Sequence, residues 1–100
     1  MAIQITGSFT CRYATYTDPQ IQLIPHLLYR DKIMMDANVL VAGESGSMVN
    51  VTAIPYHPTP AELVYPTTPV NPYADLIYAL ETVVISSLTG SNPECTFNRF

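Results

Sequence analysis

The chain has 100 residues, 48% of them hydrophobic and 12% charged, with a formal net charge of −4. Such a length predicts one domain with a modest core, and so few charges, against roughly 25% in a typical soluble domain, imply a surface that is covered by another chain or dressed in Thr, Ser, Asn and Tyr. The four scattered basic residues, Arg12, Arg30, Lys32 and Arg99, argue against a direct nucleic-acid partner, and no apolar run approaches the roughly 18–20 residues that span a membrane as a helix.

Residues 1–17 begin without a basic stretch followed by an apolar one, so no secretory signal is expected. They alternate: Ile3, Ile5, Phe9, Cys11 and Tyr13 share one face, and Gln4, Thr6, Ser8, Thr10 and Arg12 the other. This is the period of a half-buried strand, interrupted at Gly7 by a bulge or bend and ended by a turn at Asp18-Pro19. A second strand follows with Ile21, Leu23, Leu27 and Tyr29 in phase. Pro25 cannot donate to a ladder and predicts an edge strand or a break. Arg30-Asp31-Lys32 reads as a charged turn.

Ile33 to Ala42 forms the third strand, and Met48 to Ile54 its return, with Val49, Val51 and Ala53 facing one way. Gly43-Glu44-Ser45-Gly46 between them is a turn signal. It lacks the glycine spacing and the strand-to-helix setting of a nucleophile elbow. Asn50-Val51-Thr52 matches a glycosylation acceptor, but it sits in a strand and reads as chance.

From Pro55 to Pro72 there are six prolines and a single charge, Glu62. The span is expected to be extended and polyproline-like. Its Tyr56, Leu63, Val64 and Tyr65 predict that it is laid down on a surface, since a disordered linker is normally more polar.

The next stretch is the one convincing helix. Asn71 is the N-cap, Pro72 suits the first helical position and Asp75 complements the dipole. Tyr73, Leu76, Ile77, Leu80, Val83, Val84 and Leu88 recur at three- and four-residue steps as an apolar face. Tyr78 and Ile85 fall outside that stripe and are expected to meet another chain or the Pro-rich span. Gly90 is expected to close the helix, with Pro93 preventing a restart. Cys95 to Phe100 alternates again, as a short edge strand or a tail anchored by Phe97 and Phe100.

Candidate chemistry is sparse. His26 and His57 lack a carboxylate or cysteine at ligand spacing, so no metal site is expected. Cys11 and Cys95 are expected to be reduced and buried. The acidic residues form no obvious pair and read as solvated turn and helix-surface groups. No catalytic, phosphate-binding or dinucleotide motif is present, so neither enzymatic activity nor a cofactor is expected.

The opening Met1-Ala2-Ile3-Gln4-Ile5-Thr6-Gly7, the Thr/Val-rich strands and the Asn71-Pro72-Tyr73-Ala74-Asp75-Leu76 helix start give a layout that resembles small virion structural proteins of tailed bacteriophages. That resemblance implies a non-enzymatic subunit of a head, connector or tail, assembled in the host cytoplasm and contacting other copies of itself and other virion proteins. It carries no functional residue across. The alternative is a small soluble module that holds a peptide or small ligand between helix and sheet.

The sequence thus predicts an α+β domain, a small antiparallel sheet with one C-terminal helix packed on it. A strand-rich part (1–54) is followed by a Pro-rich segment (55–72), the helix (72–89) and a tail or edge strand (90–100). The expected contact residues are Tyr56, Leu63, Tyr65, Tyr78, Ile85, Phe97 and Phe100.

Overall fold

A computed structural model of the chain describes residues 2–11 and 14–99. It is an α+β fold with seven strands and one α-helix among the described residues. β1 (Ala2–Thr6), β4 (Gln20–Leu28), β5 (Ile33–Ala42), β6 (Met48–Tyr56) and β7 (Thr96–Arg99) form an antiparallel sheet in the order β6-β5-β4-β1-β7. β2 (Ser8–Cys11) and β3 (Ala14–Thr17) pair as a separate two-stranded ribbon. The helix α1 runs from Pro72 to Ser91.

Alternation along the strands builds the core. Ile3, Ile5, Ile21, Leu23, Met35, Ala37 and Val39 are buried on one sheet face, together with Leu80, Val84 and Leu88 of α1 and Phe9 of β2. Residues on the other face, such as Gln4, Gln20, Gln22 and Asn38, pair across strands in the register Gln4↔Gln20 and Gln22↔Asn38. This polar face is the usual solvated side of an antiparallel sheet.

The first alternating run is therefore not one strand but three, divided between two sheets. Gly7 makes the break: its φ of 117° lies where L side chains are strained. Its N–H donates to Asp18 Oδ1 at 2.8 Å, and the Asp18 N–H donates to Gly7 O at 3.1 Å. These bonds close the neck of the β2–β3 ribbon. The phase survives the bend, since Ile3, Ile5 and Phe9 are all fully buried and Cys11 half-buried. Arg12 and Tyr13 lie outside the described residues.

β4 is the middle strand of the sheet, not an edge, in spite of Pro25. The reason is local. β1 pairs with β4 only at Gln20 to Gln22, so at Pro25 one side of β4 has no neighbouring strand. The ladder with β5 also shifts register between Pro25 and Leu27. A bulge there absorbs a proline that an uninterrupted ladder would reject. It places Leu28 opposite Ile33, while Tyr29 lies beyond the strand at the turn, where Tyr29 N–H donates to Lys32 O at 2.8 Å.

A second shift, between Val39 and Leu40 of β5, skips Val51 of β6. Val49 pairs with Val41 and Ala53 with Asn38, which puts them on opposite faces. The expectation that Val49, Val51 and Ala53 face one way fails because simple alternation cannot anticipate a bulge.

The Pro-rich segment contains one 3₁₀ turn, Pro60–Glu62, and no other regular element after β6. In α1 the Asn71 side chain accepts from Ala74 N–H at 2.8 Å, as an N-cap should. The helix ends one residue beyond Gly90, at Ser91, with Asn92 as the cap donating its N–H to Leu88 O. Gly90 has no left-handed φ and does not close it.

Candidate functional site

The Pro-rich segment meets α1 through Asp75. One of its carboxylate oxygens accepts the Val70 N–H at 3.0 Å, while its own N–H donates to Asn71 O at 2.9 Å. This turn holds Pro66–Val70 alongside the helix and leaves an apolar groove of about 530 Å³ between them. Pro66, Val70, Tyr73, Ile77 and Tyr78 line it, and its acidic groups are Asp75 and Glu81. Tyr73, Ile77 and Glu81 recur every four residues, so one helix face supplies the floor.

Glu81 is the unexpected member. Its side chain is only 7% exposed, with Arg99 Nε 3.4 Å from Oε1. Arg99 also donates from Nη2 to Thr82 Oγ1 at 2.6 Å, and its guanidinium carbon lies 4.1 Å from the centre of the Tyr78 ring. Arg99 reaches this position because β7 pairs Arg99 with Ile3, on the helix-facing side of the sheet. Burial pushes the Glu81 carboxyl above its ordinary value, and the Arg99 charge pulls it back in part. A salt bridge, a hydrogen bond and a cation–π contact thus tie the last strand to the middle of α1.

The expectation that every acidic residue is solvated fails at Glu81. The sequence carries a signal for its burial, since Glu81 lies four residues after Ile77 and three before Val84 on the apolar stripe. His26 also has a carboxylate partner that sequence spacing hides: its Nε2 is 2.7 Å from Asp36 Oδ2, on the neighbouring strand. Among the described residues no group of three or more His, Cys, Asp or Glu is placed to hold a metal ion. Cys11 and Cys95 are half-buried rather than buried; the Cys95 thiol donates to Ser8 O at 3.2 Å.

The expected contact residues separate into two groups. Leu63, Ile85, Phe97 and Tyr56 are half-buried against the protein's own core. The Tyr56 hydroxyl donates to Ser87 Oγ at 3.4 Å, and burial raises its pKa. Ile85, off the helical stripe by sequence, still packs against the core. Tyr65 and Tyr78 are exposed, Tyr78 at the groove. Phe100 lies outside the described residues. Sequence reasoning passed over Val70 and placed Tyr73 on the core face, yet they are 78% and 70% exposed. Tyr73 lies in the first turn of α1, ahead of its first buried residue, Ala79.

No known protein family, characterised protein or solved structure matches the chain.

Proposed function

We propose that this protein is a non-enzymatic structural subunit of a phage-like virion, contacting neighbouring subunits through the groove and the apolar strip around it. One observation carries the reading. Val64, Tyr65, Val70, Tyr73 and Tyr78 are all exposed, within fifteen residues of sequence that include a single charge, Asp75. A free monomer gains nothing by presenting such a strip to water, whereas a subunit buries it in its neighbours. The low overall charge fits the same economy of surface. Sedimentation velocity over a wide concentration range tests the reading: assemblies larger than a monomer are expected, and a monomer throughout would count against it.

A second reading has its own support. The groove volume falls within the roughly 300–1,000 Å³ typical of small-molecule and peptide sites, and apolar walls with a few polar groups are their usual lining. A binding module would stay monomeric and take a ligand in the groove.

A further inference from the structure

Ten large hydrophobic residues are exposed among those described, and they fall in three patches. One is the strip around the groove. A second, Met48, Val49 and Val51, lies on β6, an edge strand interrupted by the bulge at Val51 and by Pro55. Those are the devices that keep an edge from pairing with another chain. The third is the turn joining β4 to β5. There Leu28 and Tyr29 are 52% and 63% exposed, immediately before the charged Arg30, Asp31 and Lys32.

The turn and the groove are complementary. Two of the protein's four basic residues stand in the turn, directly after an exposed leucine and tyrosine. The groove is apolar with acidic groups, Asp75 and Glu81, and Glu62 borders the adjoining hollow with Val64. The basic residue that reaches this region, Arg99, is already engaged by Glu81, Thr82 and Tyr78. No residue of the turn lines the groove of its own chain.

We infer that the β4–β5 turn of one copy docks in the groove of a second copy, Leu28 and Tyr29 against Val70 and Tyr73, with Arg30 and Lys32 facing Asp75 and Glu62, the carboxylates there that Arg99 does not engage. This rests on the structural-subunit reading and gives it a geometry. Turn and groove are different surfaces: two copies can exchange them reciprocally in a closed dimer, or each copy can pass its turn on to the next, closing a ring or extending a filament. Opposite charges set the register and speed the encounter, and added salt weakens it.

The test uses two variants at exposed positions: a turn variant, Arg30→Glu with Lys32→Glu, and a groove variant, Val70→Arg. Tyr29→Ser and Tyr73→Ser form a second pair in case either of the first fails to fold, judged by thermal melting. Each variant alone should dissociate at least tenfold more readily than wild type by sedimentation or native mass spectrometry. A turn variant mixed with a groove variant retains one intact turn and one intact groove, and should form a two-subunit complex and nothing larger. Wild-type protein that assembles while folded turn or groove variants assemble equally well overturns the docking but leaves the subunit reading standing. Wild-type protein that remains monomeric at every concentration overturns both. A mixture of folded variants that forms no complex overturns the docking of turn in groove, because the one intact turn and the one intact groove fail to meet.

Discussion

Asn92 pairs with the backbone of Thr10 as though it were the next residue of a neighbouring strand. Its side-chain Oδ1 accepts the Thr10 N–H at 2.9 Å, and its Nδ2 donates to Thr10 O at 3.2 Å. The same residue caps α1 by donating its own N–H to Leu88 O at 2.7 Å and accepts the Cys95 N–H at 3.1 Å. One buried residue therefore fastens the β2–β3 ribbon, through its side chain, to the end of the helix and the approach of β7, which its backbone holds.

Asn92→Ala should leave both Thr10 backbone groups without their partner. Each such loss costs about 1–3 kcal/mol, so a total of about 2–6 kcal/mol is expected in urea unfolding. Asn92→Asp keeps the acceptor and loses the donor, and should fall between wild type and alanine. An alanine variant as stable as wild type would show that water replaces the amide without penalty.

The Glu81–Arg99 pair should make stability depend on pH with a definite sign. Burial raises the folded-state pKa of Glu81, so folding favours its protonated form. Its contribution is most favourable below the ordinary carboxylate pKa of about 4.3. That contribution declines as pH rises through the raised folded-state value. Glu81→Gln should remove the decline. The gap in unfolding free energy between variant and wild type should therefore shift in favour of the variant as pH rises across this window. A gap that stays constant with pH would place the titration elsewhere.

Arg99→Met keeps much of the apolar stem but removes the charge from both Glu81 and Tyr78. Hydrogen bonds to charged groups contribute about 1.5–3 kcal/mol, and a loss in that range is expected. NMR titration of the Glu81 carboxyl should show its pKa rising further. An unmoved carboxyl would mean that Arg99 contributes packing alone.

Gly7→Ala tests the neck of the ribbon. A Cβ there would meet Cys95 Sγ at 3.6 Å, an ordinary contact, while φ remains at 117°. The penalty is therefore conformational, of order 1–3 kcal/mol, and should appear as a lowered melting temperature with the secondary-structure spectrum unchanged. No loss would mean that the bend relaxes to a conformation open to alanine.

The regular elements are legible in the sequence where local chemistry fixes them. Ile33–Ala42 alternates without interruption and is a strand over that whole range, and Asn71-Pro72 opens the helix where cap chemistry predicts. What escaped the sequence depends on register or on distant partners. The bulges at Pro25 and Val51 invert the phase of everything beyond them, and no periodicity announces them. The burial of Glu81 depends on Arg99, which arrives through a strand pairing with Ile3 that residue spacing cannot reveal. The groove exists because Asp75 folds the Pro-rich segment back on the helix, and an aspartate in a first turn has the same sequence signature whether or not it catches Val70.

The strand order also sets a schedule. β4, β5 and β6 are consecutive neighbours joined by short turns, so they can pair as soon as each is synthesised. β1 is made first but finds one partner in β4 and the other in β7, whose Arg99 lies opposite Ile3, roughly ninety residues later in the chain. Pairings of such long sequence separation are slow to form. Until β7 arrives, one rim of β1 stays open and Glu81 lacks its cation, so a single late strand both closes the sheet edge and neutralises the buried carboxylate.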